Sequence, residues 1–280
     1  HAEAQAVLGQ MHHLGHGGPP DFGEARRLLG LAAAQGIAEA QAGLGRMHHL
    51  GQGGPQDLAE ALRLYGLAAA QSNAAAQYML GNMHYDGDGV PQDFAEARRL
   101  LGLAAAQGDA DAQYMLSGMH HDGDGGPQDF AEARRRYGLA AAQGHAEAQT
   151  VLGRMHYHGQ GGPQDLAEAR RLFGLAAEQG HAGAQFDLAG MHVQGEGGPK
   201  DHAEARRLFG LAAAQGDARA QDTLGSMHHL GEGGPKDHAE ARRFYGLAVA
   251  QGHAEAQARL GSMHASGEGG PKDLAEARRL

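Results

Sequence analysis

Apolar residues recur along this chain in two helical stripes that alternate. Ala4, Leu8 and Met11 lie three and four residues apart, as do Ala25, Leu28, Leu29 and Ala32, so each set faces one side of an α-helix. The first helix is predicted over about Ala2 to Leu14, with Leu8 and Met11 turned inward. The small residue between them, Gly9, predicts a close crossing by a neighbouring helix. The stripe stops at Gly15, where Gly15-His16-Gly17-Gly18-Pro19 reads as a tight connector. Asp21 then has the position of an N-cap, and Glu24 follows at capping-box spacing. Gly36 ends the second helix in the left-handed position that follows a helix C-terminus.

The whole pattern repeats every 36 residues, with units beginning at His1, Ile37, Asn73, Asp109, His145, His181, Asp217 and His253. Seven are complete and the eighth stops partway through its second helix at Leu280. A helical hairpin of this length cannot bury both stripes alone, so each must stack on its neighbours. The fold class that follows is all-α: a solenoid of antiparallel helix pairs running as one continuous array over residues 1–280.

These residues resemble the Sel1-like repeat family, relatives of the tetratricopeptide repeats. The resemblance rests on Ala2, Ala4, Gln5, Leu8, Gly9, Met11, Gly15, Gly17, Asp21, Ala25, Ala32, Ala33, Gln35 and Gly36, and extends over the whole chain. It implies a right-handed α/α superhelix whose first helices line a concave surface, and a scaffold or adaptor role without catalysis. The variable positions 6 and 13 of the repeat would then face the concave groove. The residues expected there to contact protein or peptide segments are His13, His49, Tyr78, Tyr85, Tyr114, His121, Tyr157, Phe186 and His229.

Two departures from the family pattern stand out. Where the family usually carries Tyr after the Met, this chain has His12, His48, His84, His120, His156, His192, His228 and His264, read here as a structural ladder whose members pair with neighbouring polar groups. The family's second-helix Trp becomes Leu, Tyr or Phe, and a glycine always follows it, from Gly30 to Gly246. Glycine in mid-helix is worth about 0.5 to 1 kcal/mol less than alanine. Either these glycines admit a neighbouring backbone inside the stack, or they open a docking groove on its outer face.

Composition adds mainly exclusions. The aromatic share is 5% and the formal charge is −10, with Arg pairs that follow Glu and no unopposed basic stripe, so nucleic acid is not an expected partner. Membrane insertion is not expected, since no apolar run reaches the length of a span. There is no cysteine, no H-E-x-x-H and no G-x-S-x-G, hence no expected catalytic residue and no cofactor. The compartment stays open. The twenty histidines invite a metal, as in His12, His13 and His16, but equivalent residues in stacked helices stand roughly 9 to 10 Å apart, whereas zinc ligands lie about 2 Å from the ion. No metal site is therefore expected. The loops Asp86-Gly-Asp88 and Asp122-Gly-Asp124 lack the remaining ligands of a calcium loop.

The end units are as apolar as the central ones, which leaves a second functional reading: a subunit of an open, end-to-end filament or a window of a longer fibrous array. Full protonation of the histidines would take the formal charge from −10 to −10 + 20 = +10, so mild acid is expected to change binding or self-association.

Overall fold

A computed structural model describes residues 1–280 as sixteen α-helices joined by short turns, two helices to each repeat. Their contacts divide into two units, His1–Ala140 and Ala141–Leu280. The first holds α1 (Ala2–Leu14), α2 (Phe22–Ala33), α3 (Ala38–Leu50), α4 (Leu58–Ala70), α5 (Ala74–Asp86), α6 (Phe94–Ala106) and α7 (Ala110–Asp122), with most of α8 (Phe130–Ala142). The second holds α9 (Ala146–His158), α10 (Leu166–Glu178), α11 (Ala182–Gln194), α12 (His202–Ala214), α13 (Ala218–Leu230), α14 (His238–Ala250), α15 (Ala254–Ser266) and the short α16 (Leu274–Arg279). No helix is long and apolar enough to cross a membrane.

The helix starts are fixed by the aspartates. Asp57 and Asp165 each accept a hydrogen bond from the backbone N–H three residues on, at 3.0 and 2.9 Å, and such caps are worth about 1 kcal/mol each. The expected capping box is only half formed, for a steric and electronic reason. The N–H of each capping Asp is taken by a carbonyl of the preceding helix, as in Asp165 N–H to His156 O at 2.9 Å. With that donor occupied, the glutamate turns outward and accepts a bidentate pair from the arginine three residues on, Glu168 from Arg171 at 2.6 and 2.7 Å. Ser72, which stands where the other repeats have glycine, takes the same left-handed conformation at φ 62°.

In five pairs the ninth residue, a glycine, lies against the large residue of the second helix. A Cβ on Gly81 would meet Leu101 at 2.8 Å, and one on Gly153 would meet the Phe173 ring at 2.7 Å, so the predicted close crossing is real and its partner is the position the family fills with Trp. Met47, Met83, Met119, Met155, Met191, Met227 and Met263 are buried, as are Leu44, Leu116, Leu152, Leu188, Leu224 and Leu260. Leu8 and Met11 depart from the expectation: they are 45% and 40% exposed, because α1 packs only on α2 and α3 and no helix pair covers its other side.

Polar side chains join the two helices of a repeat to each other and then each repeat to the one before it. Gln71 donates to Gln41 at 2.8 Å and Gln107 to Gln77 at 2.7 Å in the first unit, while Gln179, Gln215 and Gln251 donate to Gln149, Gln185 and Gln221 at 2.8 to 2.9 Å in the second. The acceptor glutamines are buried, and their own amides donate to carbonyls at the end of the preceding helix, as Gln149 does to Ala141 at 3.1 Å. A buried amide left unpaired would be destabilising, so this ladder holds the register between repeats.

Candidate functional site

In the first unit α1, α3, the N-terminal half of α5 and the start of α7 border a groove of about 790 Å³. The first, second and fourth repeats offer it carboxylates from the starts of their first helices, Glu3, Glu39, Asp109 and Asp111, against the single cation Arg46. Tyr78 borders it from α5 and Tyr65 from α4. Tyr65 is 1% exposed, and its hydroxyl has no hydrogen-bond partner. Burial pushes that phenol far above its ordinary pKa, so it stays neutral and is available as a donor.

Of the residues expected on the binding face, His13 and Tyr78 border this groove. Most of the other position 13 residues are engaged between repeats, reaching the first polar residue of the next repeat's turn. His49 pairs with Asp88 at 3.0 Å, the Tyr85 hydroxyl donates to Asp124 at 3.1 Å, and the Tyr157 hydroxyl donates to Glu196 at 2.9 Å. His13 itself makes the equivalent bond to Gln52 at 2.9 Å, and His229 lies 3.7 Å from Glu268. His121 bonds its neighbour Asp122 at 2.6 Å. The aspartates of the calcium-like loops are thus used as acceptors for position 13. At position 6, Tyr114 packs on Tyr137 with ring centroids 5.7 Å apart, and Phe186 packs edge-on to Phe209 beneath the Arg219 guanidinium.

The histidine ladder has partners that the sequence reading did not name. Arg26, Arg98, Arg170, Arg206 and Arg242 each donate from a second helix to the Nδ1 of His48, His120, His192, His228 and His264 in the next repeat, at 2.5 to 2.9 Å. The first arginine of each Arg pair stands 22 residues before its histidine, which is the signal that would have found them. Arginine has no acceptor, so each imidazole must present an unprotonated nitrogen. His48, His120, His192 and His228 are accordingly held below their ordinary pKa, first by burial and then by the facing arginine; around His192, Glu204 and Asp201 of the α12 start oppose that shift and Arg207 adds to it.

A depressed histidine binds its proton more readily in the unfolded chain. The unfolded state therefore takes up protons first as the pH falls below about 6.5, and stability drops with it. The urea midpoint should be lower at pH 5.5 than at pH 7.5; an equal or higher midpoint would show that these four histidines are not buried against arginine. It follows that the folded chain does not acquire all twenty histidine charges on mild acidification.

The mid-helix glycines do not admit a neighbouring backbone. A Cβ on Gly30, Gly66, Gly102, Gly138, Gly174, Gly210 or Gly246 would meet nothing within 4 Å, so of the two readings only the open outer face stands. The next residue along, from Leu31 to Leu247, is an exposed leucine in each case.

The model of the family described as Sel1 repeat matches the chain eight times, over residues 2–37, 38–73, 74–109, 110–145, 146–181, 182–217, 218–253 and 254–280. Among solved structures, the chain is similar to a protective antigen present in uropathogenic Escherichia coli strains and displaying an SLR fold, at 33% identity over 99% of this chain with a TM-score of 0.92. It spans 60% of that antigen. It is also similar to a Sel1 repeat protein from Oxalobacter formigenes, at 32% identity over 94% of this chain and 77% of the other, with a TM-score of 0.78. A search of curated proteins gave no match.

Proposed function

The chain belongs to the Sel1 repeat family, and on that premise we propose that it is a non-catalytic scaffold that holds a segment of another protein in the groove along its first helices. Sel1 repeat proteins are generally protein-interaction scaffolds. The observation that supports this reading is the groove of the first unit, about 790 Å³ in volume, with Glu3, Glu39, Asp109 and Asp111 on its border and the Tyr78 ring beside them. Four carboxylates against one guanidinium favour an extended segment that carries Lys or Arg next to apolar side chains. The ring provides apolar area at small conformational entropy.

Selection of peptides from a displayed random library on the full chain should enrich sequences with Lys or Arg flanking an apolar residue. The selected peptides should bind with an affinity that falls as salt is raised. Glu39→Lys together with Asp111→Lys should weaken them about tenfold or more while leaving the helical circular dichroism unchanged. Tyr78→Ala should do so by loss of contact alone. Enrichment of acidic sequences, or binding indifferent to these substitutions, would overturn the assignment of the groove.

A further inference from the structure

We propose that His229, His238 and Glu268 form a binding site for one divalent transition-metal ion of the zinc and nickel type. The three come from different places: His229 from the last turn of α13, His238 from the first residue of α14, and Glu268 from the turn that follows α15. Their ligand atoms all lie within 4.8 Å of one another. The two imidazoles meet edge-on with centroids 5.0 Å apart, and Glu268 is 3.7 Å from His229 Nδ1. Tetrahedral ligands about 2.0 to 2.2 Å from zinc stand roughly 3.3 to 3.5 Å apart, so a small rotation of the exposed Glu268 side chain and of the rings closes the set.

The other repeats act as an internal control for this reading. Position 13 in the first, third and fourth repeats packs its ring against a phenylalanine: His13 on Phe22, Tyr85 on Phe94 and His121 on Phe130, at 5.0 to 5.6 Å. His238 occupies that phenylalanine's place with the same edge-on geometry. Packing alone is served by Phe, and the exchange introduces nitrogen into a partly buried contact. The Nδ1 atoms of both His229 and His238 are buried and have no hydrogen-bond partner. A buried imidazole nitrogen without a partner is destabilising by itself, and a metal ion supplies what it lacks.

Only the seventh repeat assembles all three groups. The sixth has His202 and Glu232 in the corresponding places but Val193 at position 13, and the second has His49 and Asp88 with Leu58 in place of the second histidine. Two histidines and one carboxylate are a common ligand set for zinc, with a fourth position left open. Because Glu268 belongs to the eighth repeat, the bound ion would fasten the turn Gly267–Pro271 to the start of α14.

The experiment is titration of metal-free full-length chain with Zn²⁺ and Ni²⁺ at pH 7.5, where imidazole is neutral, read by calorimetry and by thermal unfolding. Wild type should bind one ion per chain and melt several degrees higher when loaded. His238→Phe, which installs the residue that the first, third and fourth repeats use, should fold with the same helical signal and lose at least about tenfold in affinity together with the thermal shift. Val193→His should create the missing ligand of the sixth repeat and raise the stoichiometry from one to two. Undiminished binding by His238→Phe would place the ion on other histidines and overturn the proposal, as would an unchanged stoichiometry in Val193→His.

Discussion

Gly197→Ala should destabilise the second unit by about 3 kcal/mol. Gly197 sits in the turn between α11 and α12 at φ +64°, where an L-residue other than glycine pays a steric penalty of about 1 to 2 kcal/mol. Its Cβ would in addition collide with the carbonyl group of Leu166 at the start of α10. Backbone cannot swing aside as a side chain does, so the turn must lift off the helix it rests on. Its counterparts Gly53, Gly125, Gly233 and Gly269 meet the carbonyls of Phe22, Phe94, His202 and His238 in the same way, whereas Gly89 meets the Leu58 side chain instead. Gly174→Ala is the matched control. Gly174 lies inside α10 with open space around it, and alanine there should stabilise by about 0.5 to 1 kcal/mol. Guanidinium midpoints followed by circular dichroism should therefore move in opposite directions for two changes of the same chemistry. A neutral Gly197→Ala would mean that the turn does not rest on α10.

The helix boundaries were legible because short-range chemistry sets them. The capping aspartates and the glycines after each helix act on their own backbone, and Ala2–Leu14 and the start at Phe22 appear where these residues place them. The close crossing at position 9 was legible for the same reason, since a small residue between two large apolar ones has few other uses in a helix. What could not be read is which surface covers each face. Spacing gives Leu8 and Met11 the same stripe as Leu44 and Met47, yet only the latter pair is buried here. Position 13 varies as a binding surface would, but its variation follows the acceptor one repeat ahead, Gln52 for His13, Asp124 for Tyr85 and Glu196 for Tyr157. The glutamate of the capping box was assigned to a donor that the previous helix had already taken. The first two depend on a neighbour one repeat away, and the third on the other helix of the same repeat.

Gly198→Val should destabilise the second unit by about 2 kcal/mol, and most of that loss should vanish when Arg170→Leu is added. Arg170 runs from α10 to the next repeat and donates to His192 Nδ1 at 2.9 Å, to Glu196 O at 3.1 Å and to Pro199 O at 3.4 Å. It passes directly over Gly198: a Cβ there would lie 2.6 Å from its guanidinium nitrogen. Gly54, Gly126, Gly234 and Gly270 lie under Arg26, Arg98, Arg206 and Arg242 in the same manner. The chain contains its own exception. In the third repeat the glycine is Val90, and the residue 28 positions earlier, where the arginine would be, is Leu62; the Nδ1 of His84 is correspondingly without a hydrogen-bond partner. The two positions thus change together, guanidinium over glycine or leucine with valine. Either single substitution in the Arg170 and Gly198 pair breaks the arrangement, valine by expelling the guanidinium and leucine by removing it. The double variant reproduces the Leu62 and Val90 pair, so the two losses should fall short of additivity by about 1 kcal/mol or more in a double-mutant cycle. His192 gives an independent readout. With the arginine gone its pKa should rise toward the ordinary histidine value while burial still holds it below, which the pH dependence of its ring resonances would record. Additive losses, or a His192 titration that does not move, would show that the guanidinium is not what the glycine makes room for.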